Sequence, residues 1–339
     1  MVGRTPHGGA PAGWLDLSAN LNPLGPPLAV VAAIATANYG NYASLDPSPA
    51  EERLACDSGV EPTRVVVTAG ATEALRLVTS LFLPRRGRLL VVGPTYGEYH
   101  RLGLIMGAAI REVRADPPLF DPPIDAAIRM MDDFRPHLVL MCDPNNPTGR
   151  SIEPVDWRRL IDAVGSGRLV VDESFAPFRG QGAGAPLDDD RLVAVRSLTK
   201  LHAIPGVRVG FVVAASQVAT SLRSVIDPWS VGSHALVAAA AGGWGLDDGA
   251  RRTIAAWRTD LARTLQACEL TALQSDANFV LVAVRSGADA FVAALAIDRV
   301  AVRNCISFGI NDYVRIAVPE PGNLQRLATA LERADPRGG

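Results

Sequence analysis

From Thr63 onward, short runs of apolar and β-branched residues alternate with longer segments of mixed polarity. Such runs predict buried strands, and the segments between them carry the spacing of amphipathic helices. The predicted strands cover residues 65–67, 89–92, 109–113, 137–141, 169–172, 191–196 and 208–213. The predicted helices cover residues 74–83, 95–107, 124–134, 155–164 and 219–225. This alternation predicts an α/β fold with a mostly parallel sheet covered on both faces.

The two ends of the chain follow other patterns. Residues 1–27 are rich in Gly and Pro and cannot form a core, so they are predicted to be an arm that lies on another part of the protein. Helices are predicted at 28–37, 50–56 and 233–268, the last broken near 242–249. Residues 278–332 mix strands and helices and predict a smaller α/β domain that recruits the arm. The predicted organisation is an arm with part of the small domain (1–45), a large domain (46–230) and a small domain (231–339).

Composition narrows the class of protein. The chain has 339 residues, 48% of them hydrophobic, which is enough for a large core. A net charge of −2 argues against nucleic-acid binding. No apolar run is long enough to cross a membrane, no signal peptide is recognisable, and the four cysteines show no spacing typical of a metal site. We therefore expect a cytoplasmic protein without a metal ion.

Lys200 lies between two predicted strands, in the stretch Ser197-Leu-Thr-Lys200, and Arg208 follows eight residues later. A lysine next to buried strands loses solvation unless it is paired, used, or able to extend to water. Its amine can form a Schiff base with an aldehyde, and desolvation or a neighbouring cation lowers its pKa toward that task. From the spacing alone, a lysine that extends to solvent and a reactive lysine both remain possible.

Other polar or aromatic residues also follow predicted strands, at the edge where open α/β sheets bind ligands. Asp172 ends a strand and could pair with a cation or cap a helix. Asn146 lies in a Pro-flanked segment that is also typical of a simple turn. The turn at Gly70 precedes a helix and suits a phosphate. Tyr96 could stack on a planar ligand or be an ordinary half-buried tyrosine.

Taken in order, these segments resemble the fold-type I, pyridoxal-phosphate-dependent aminotransferase family, in the branch that contains histidinol-phosphate aminotransferase. The resemblance rests on Asn145-Asn-Pro-Thr-Gly149, on Val171-Asp-Glu-Ser-Phe175, and on Ser197-Leu-Thr-Lys200 with Arg208, and it covers essentially the whole chain. It implies a large domain with a mostly parallel seven-stranded sheet, a smaller C-terminal α/β domain and an N-terminal arm. The implied cofactor is pyridoxal 5'-phosphate.

The resemblance also implies a role for each residue around the cofactor ring. Lys200 would bind the cofactor covalently and later move protons, and Asp172 would pair with the ring N–H. Asn146 would hydrogen-bond the phenolic oxygen of the ring, and Tyr96 would stack on its face. Phe175 stands where the family often has a tyrosine, which removes one hydrogen bond to the phenolic oxygen.

The cofactor phosphate has its own set of implied contacts, which are Gly70, Ala71, Thr72, Ser197, Thr199 and Arg208. Tyr42 resembles the tyrosine that a neighbouring subunit contributes to this phosphate. The resemblance therefore implies a homodimer whose active sites are shared between subunits.

Within the family, the chain resembles the branch of L-threonine-O-3-phosphate decarboxylases, which make (R)-1-aminopropan-2-yl phosphate for cobalamin biosynthesis. The segments concerned include residues 7–9, 15–25, 203–206 and 228–231, although Ala71 and His202 depart from the branch. The implied substrate contacts are His7, Gly8, Asn20, Asn146, Arg303 and Arg315. Two arginines suit a phosphorylated amino acid, which has a carboxylate and a phosphate. A histidinol-phosphate aminotransferase, or an aminotransferase with another substrate, remains the alternative.

Overall fold

A computed structural model describes residues 8–179 and 184–334 of the chain. Its centre is a seven-stranded sheet, as expected. The strands of this sheet are β2 (Val65–Thr68), β3 (Arg88–Gly93), β4 (Ala109–Arg114), β5 (Leu138–Cys142), β6 (Arg168–Asp172), β7 (Leu192–Ser197) and β8 (Gly210–Val213). Every residue of β2, β5, β7 and β8 is buried, which explains why these segments are continuous apolar runs rather than alternating ones.

The strand order across the sheet is β2-β8-β7-β6-β5-β3-β4. Strands β4, β3, β5, β6 and β7 pair in parallel, whereas β8 is antiparallel to both of its neighbours. Because β8 runs in the opposite direction, its first residue lies at the same edge of the sheet as the last residues of the other strands. The predicted mostly parallel sheet is confirmed.

Helices cover both faces of this sheet and form most of the rest of the molecule. They are α1 (Leu28–Ala35), α2 (Ser48–Ser58), α3 (Ala71–Phe82), α4 (Glu98–Ile105), α5 (Ile124–Phe134), α6 (Pro154–Ala163), α7 (Leu198–Leu201), α8 (Ser216–Arg223), α9 (Ser233–Gly242), α10 (Asp248–Ala267), α11 (Ala288–Ile297) and α12 (Pro321–Ala334). One face packs on α3 and α8, and the other on α5 and α6 and, further along, on α2 and α9.

A second, four-stranded sheet lies in the C-terminal part of the chain. It contains β9 (Thr271–Ala272), β10 (Phe279–Ala283), β12 (Arg303–Asn304) and β13 (Tyr313–Ala317), in the order β12-β13-β10-β9. The N-terminal arm contributes β1 (Leu15–Asp16), which pairs in parallel with β11 (Val300–Ala301). Leu15 and Leu17 are buried in the core of this part of the molecule. The arm therefore lies on the C-terminal sheet region, as the sequence predicted.

The predicted domain boundaries stay a prediction, because the packing joins segments from different predicted units. Val30 of α1 and Ala235 of α9 belong to the same apolar cluster as Val65 and Phe211 of the large sheet. The C-terminal cluster, by contrast, contains Leu265 of α10 together with residues of β10, β13, α11 and α12.

Several elements begin elsewhere than the sequence predicted, among them two that carry or adjoin predicted site residues. Helix α3 begins at Ala71, three residues earlier than predicted, because the Glu73 carboxylate accepts a hydrogen bond from the Ala69 N–H and holds the first turn. Helix α4 begins at Glu98, so Tyr96 lies in the preceding turn. Lys200 lies in the single helical turn α7 rather than in an irregular loop. In the described parts of the chain, no helix is both long and apolar enough to cross a membrane.

Gly210, the first residue of β8, provides a test of how closely this edge of the sheet is packed. A β-carbon at this position would lie 2.6 Å from the Arg196 carbonyl oxygen and 2.7 Å from the Ala71 nitrogen. Both neighbours are backbone atoms, which cannot move away cheaply. We expect Gly210→Ala to lower the free energy of unfolding by about 1–3 kcal/mol, measured by urea denaturation.

Gly206→Ala is the matched control, because a β-carbon there would meet nothing within 4 Å. Equal stabilities of the two variants would show that the contact at Gly210 can relax.

Candidate active site

The topology gathers polar residues at one edge of the large sheet. The carboxyl ends of β2, β3, β5, β6 and β7 meet there, and so does the start of the antiparallel β8. Each predicted cofactor residue within one chain comes from one of these ends, for example Asp172 from β6 and Asn146 from the turn after β5. The edge predicted from the sequence is therefore the edge at which the side chains lie together.

A cavity of about 590 Å³ opens at this edge, between the large sheet, the C-terminal sheet and the arm. It is lined by most of the residues predicted from the sequence, namely Gly8, Asn20, Ala71, Thr72, Tyr96, Asn146, Asp172, Ser197, Thr199, Lys200, Arg208, Arg303 and Arg315. Gly70 lies directly behind the Arg208 guanidinium, where a β-carbon would be 2.8 Å from its Nη2. His7 lies outside the described residues, and Tyr42 is 79% exposed and does not line this cavity.

Lys200 points its amine into the cavity from α7. Its Nζ donates a hydrogen bond of 2.8 Å to the Ala19 carbonyl oxygen of the arm. Burial lowers the pKa of Lys200 from 10.5 to about 8, and the positive charges of Arg315 and Arg208 act in the same direction. At pH 7 about a tenth of this amine is therefore uncharged, far more than for a lysine with the ordinary pKa, and this fraction is able to act as a nucleophile or base.

The Asp172 carboxylate is buried at the base of the cavity and is held by three neutral donors. Its Oδ1 accepts hydrogen bonds from the Ser174 N–H (3.0 Å) and hydroxyl (2.5 Å), and its Oδ2 accepts one from the Tyr99 hydroxyl (3.0 Å). In the described part of the chain no basic side chain pairs with it. Burial raises the pKa of Asp172, and the hydrogen bonds from Ser174 and Tyr99 oppose that shift. A buried carboxylate in this state suits a cationic group of a ligand.

The start of α3 forms an anion-binding corner of the cavity. Gly70 has φ 89°, a value that favours glycine, and no side chain caps the helix, so its first N–H groups are directed toward the cavity wall at Ala71 and Thr72. The Arg208 guanidinium lies beside this helix end. Uncapped N–H groups, a helix dipole and a guanidinium together suit a phosphate group.

Tyr96 and Asn146 occupy the middle of the cavity wall. The Tyr96 hydroxyl hydrogen-bonds the Thr72 side chain, and its ring meets the Tyr99 ring edge-on at 5.7 Å. The Asn146 side-chain oxygen accepts a hydrogen bond from Arg315. The amide of the preceding Asn145 fixes the turn through the Pro94 carbonyl oxygen at 2.9 Å.

Two arginines enter the cavity from the C-terminal sheet, where Arg303 of β12 and Arg315 of β13 are directly opposite each other. Both are buried, and burial lowers the pKa of Arg303 and lowers that of Arg315 to about 10. Arg315 donates to the Ser18 carbonyl oxygen at 2.5 Å. For Arg315, no ion pair with a carboxylate is found within the described residues. Like charges opposite each other are unfavourable, so this pair suits anionic groups of a ligand.

The arm closes one side of the cavity. Gly8 lies against Ser18, since a β-carbon at position 8 would be 2.4 Å from the Ser18 carbonyl oxygen. Asn20 is 1% exposed, has φ 53°, and both of its side-chain polar atoms lack a hydrogen-bond partner among the described residues. A buried amide without partners next to a ligand cavity marks a position where a ligand can supply them.

Several residues of the cavity wall were not predicted from the sequence, and they are Ser18, Ala19, Leu75, Gly97, Glu98, Arg101, Cys142, Ser174 and Phe308. Ser18 and Ala19 bond site side chains through backbone carbonyl oxygens, which every residue type has, so no signal in the sequence marks them. Lys200, by contrast, is the only lysine in the 339 residues, which singles it out among the predicted residues.

A match between this sequence and a family model identifies the family of the protein. Residues 12–331 match the family model "Aminotransferase class I and II". The chain belongs to this family. It is a fold-type I, pyridoxal-phosphate-dependent enzyme, as the motifs around Asn146, Asp172 and Lys200 predicted.

Curated relatives carry two different names. Histidinol-phosphate aminotransferase of Symbiobacterium thermophilum is 33% identical over 334 residues, which are 94% of this chain and 90% of that protein. Threonine-phosphate decarboxylase of Salmonella typhimurium is 32% identical over 348 residues, which are 95% of this chain and 91% of that protein. Overall identity therefore does not separate the two activities.

The solved structure of histidinol-phosphate aminotransferase from Sinorhizobium meliloti, in complex with pyridoxal-5'-phosphate, has the same fold. The TM-score is 0.85 at 20% identity, over 94% of this chain and 89% of that one.

The residues present fit pyridoxal phosphate as the cofactor. The uncapped start of α3 with Arg208 suits its phosphate, and the Asp172 carboxylate without a basic partner suits its protonated ring nitrogen. Tyr96 presents a ring to the cavity, and the Lys200 amine lies within the same cavity. The groups that line the cavity thus match both the phosphate and the ring of the cofactor.

The lowered pKa of Lys200 gives a direct test of this site. In the cofactor-free protein the amine should lose its proton around pH 8 rather than near pH 10.5, because burial and the two arginines disfavour its charge. Because the chain has one lysine, ¹³C-methylation followed by NMR gives one lysine signal to titrate, apart from the amino terminus. Replacing Arg315 by Gln should raise the midpoint, since one positive neighbour is removed.

Arg263→Gln is the control, because Arg263 is exposed and pairs only with Asp260 in the described structure. A wild-type midpoint near pH 10, or equal midpoints in both variants, would contradict the electrostatic account of Lys200.

Proposed function

We propose that the protein is a decarboxylase of O-phospho-L-threonine that releases CO₂ and forms aminopropanol phosphate. The observation that carries this proposal is the opposed pair Arg303 and Arg315, which are both buried and both line the cavity. A substrate with a carboxylate at one end and a phosphate at the other supplies an anion for each guanidinium.

In this proposal each arginine binds one end of the substrate. The role of Arg315 at the carboxylate, next to the reacting carbon, is supported by its hydrogen bond to Asn146 and by its contribution to the lowered pKa of Lys200. Arg303, whose Nη2 donates to the Ser307 hydroxyl and whose guanidinium lies over the Phe308 ring, then binds the phosphate at the other end. The substrate contacts assigned to Gly8 and Asn20 are part of this proposal, and Asn20 offers an unpartnered amide.

Pyridoxal phosphate, when bound, withdraws electrons from the bonds of the substrate α-carbon. The Asp172 carboxylate, which the buried Tyr99 hydroxyl and Ser174 hold in place, would keep a proton on the ring nitrogen. Lys200 Nζ, with its pKa of about 8, would move a proton at the α-carbon. Arg315 and Arg303 would orient the two ends of the substrate, and this orientation would decide whether CO₂ or a proton leaves.

The alternative is a histidinol-phosphate aminotransferase. The same pair of guanidiniums favours it in one respect, because glutamate, a common amino donor for transamination, has a carboxylate at each end. The relative from Symbiobacterium thermophilum also carries that name.

Product analysis separates the two reactions. Purified holoenzyme is incubated with O-phospho-L-threonine, and CO₂ release is measured. In a parallel reaction it is incubated with L-histidinol phosphate and 2-oxoglutarate, and glutamate is measured. CO₂ from the first reaction supports the proposal, whereas glutamate from the second without CO₂ from the first replaces it by the alternative.

Arg303→Ala should raise KM for O-phospho-L-threonine about tenfold or more, because a charged hydrogen bond is worth about 1.5–3 kcal/mol. The change in kcat should be smaller, since Arg303 binds the end of the substrate far from the broken bond. Steady-state kinetics of CO₂ release measure both constants.

Arg263→Ala, an exposed arginine on α10, serves as the control and should leave KM unchanged. An unchanged KM for Arg303→Ala would remove this residue from the phosphate site.

We also propose that the enzyme is a homodimer in which Tyr42 reaches the cofactor phosphate of the partner subunit. Tyr42 is 79% exposed and stacks on Trp229, with 4.6 Å between the ring centroids. Further large apolar side chains nearby in sequence are also exposed, including Leu28, Tyr39 and Leu45. Exposed apolar groups of this kind are typical of surfaces that a partner covers.

If Tyr42 bonds the partner's cofactor phosphate, Tyr42→Phe should leave the dimer intact and raise the dissociation constant of pyridoxal phosphate about tenfold, through loss of one charge-assisted hydrogen bond. Light scattering gives the oligomeric state, and a fluorescence titration gives the cofactor affinity. Tyr39→Phe is the matched control, since Tyr39 packs against His234 instead. A monomeric wild-type enzyme with tight cofactor binding would contradict the shared site.

A further inference from the structure

We propose that Arg114, at the end of β4 in the large sheet, is a positioning residue for Arg303 and so tunes affinity for the phosphate of the substrate. This inference rests on the proposed role of Arg303. Arg114 lies in the large sheet, outside the cavity wall. One short turn connects it to the anion site of the C-terminal sheet.

The first step is the dependence of Arg303 on that turn. Arg303 belongs to β12, a strand of two residues. Its Nη2 donates to the Ser307 hydroxyl of the 3-10 turn Ile306–Phe308 at 2.7 Å. Its guanidinium also lies over the Phe308 ring, 5.4 Å from the ring centroid. The turn therefore contacts the guanidinium through two residues, and the position of the turn helps to set the position of the guanidinium.

The second step is the connection of the turn to the large sheet. Arg114 Nη2 donates a hydrogen bond of 2.6 Å to the Phe308 carbonyl oxygen. Its Nη1 donates to Glu112 Oε1 at 2.8 Å, and Glu112 Oε2 is 3.5 Å from His100 Nε2 on α4. Glu112, on the same strand, thus fixes the Arg114 guanidinium, and the guanidinium hydrogen-bonds the turn that contains Phe308.

The third step is the close fit at Gly309, which ends the turn with φ 72°. A β-carbon at this position would be 3.1 Å from Arg114 Nη2. The backbone therefore passes directly over the guanidinium, where it leaves little room for a side chain.

An apolar cluster beside this contact holds the two sheets together independently of Arg114. Ala115 and Phe120 from the large-sheet side pack with Phe308 and Ile310, and the Phe120 and Tyr313 rings meet edge-on at 5.1 Å. Loss of the Arg114 side chain should therefore leave the fold intact and release only the turn. Because bidentate phosphate binding requires a fixed guanidinium plane, a small displacement of the turn weakens it.

The test measures the phosphate contribution to binding without turnover of the proposed substrate. The probes are O-phosphoethanolamine and ethanolamine, which differ in the phosphate and lack the carboxylate that decarboxylation requires. Dissociation constants come from the change in cofactor absorbance of the holoenzyme. Arg114→Ala should weaken O-phosphoethanolamine about tenfold and ethanolamine less than about twofold. Arg111→Ala, on the same strand but against Phe134, is the matched control and should change neither.

A double-mutant cycle separates positioning from general damage. If Arg114 acts through Arg303, Arg114→Ala should cause no further loss of O-phosphoethanolamine affinity in an Arg303→Ala background. Equal losses for both probes, or a full further loss in that background, would overturn the inference.

The wild-type enzyme distinguishes this inference from the proposed function. Absence of CO₂ release from O-phospho-L-threonine overturns the decarboxylase proposal and leaves the probe measurements valid. A wild-type preference for the phosphorylated probe that Arg114→Ala preserves overturns only the positioning role. A wild-type enzyme without that preference overturns the phosphate site and the positioning role together.

Discussion

The active site depends on the backbone of five residues of the arm, Ser18 to Asn22. The Ser18 carbonyl oxygen accepts from Arg315 in the C-terminal sheet, and the next carbonyl oxygen, of Ala19, accepts from Lys200 beside the large sheet. The Asn22 backbone N–H then donates to the Lys200 carbonyl oxygen at 3.0 Å, and its side-chain amide donates to the Leu201 carbonyl oxygen at 2.8 Å. Neighbouring peptide groups of the arm thus hydrogen-bond both the C-terminal sheet and the large-sheet side of the cavity. The arm, which cannot form a core of its own, therefore sets the distance between these two sides. These carbonyl oxygens also offset part of the cost of burying the Arg315 and Lys200 charges. They do so without a carboxylate, which would compete with an anionic ligand for the same cations.

The charged side chains of the cavity together favour anionic ligands. Lys200, Arg208, Arg303 and Arg315 line it, whereas the carboxylate at its base, Asp172, is held by hydroxyl and amide donors. Burial disfavours the charged form of Lys200 and Arg315, so each anion that enters relieves part of that cost. A cofactor phosphate at α3 and the doubly anionic substrate that we propose at the arginine pair would both provide this relief. The same electrostatics that weaken the proton affinity of Lys200 are therefore consistent with the proposed class of substrate.

Much of the fold and of the cofactor site could be predicted from the sequence, for a physical reason. Strands buried on both faces must be apolar throughout, so 65–67, 138–141 and 192–196 are readable as strands, and the residue after each strand is then placed at one edge. Chemistry that depends on side-chain type, such as that of Asp172 or Lys200, follows from this placement. Contacts made by backbone groups do not, because Ala19 and Ser18 contribute carbonyl oxygens that any residue has. The Tyr99 hydrogen bond to Asp172 could not be predicted either, since the two residues are 73 positions apart in the sequence. Tyr99 also lies in a segment whose pattern predicts only a helix.

The C-terminal sheet shows why substrate choice is harder to read than cofactor binding. Arg303 and Arg315 are opposite each other only because β12 and β13 pair in antiparallel register, and β12 has two residues. Strand patterns this short carry almost no periodicity, so the register, and with it the spacing of the two guanidiniums, is set by tertiary contacts such as those of the turn Ile306–Phe308. In the proposed reaction, a rotation of the substrate α-carbon separates loss of CO₂ from loss of a proton. The two arginines that would set this rotation lie on the part of the fold that the sequence pattern specifies least.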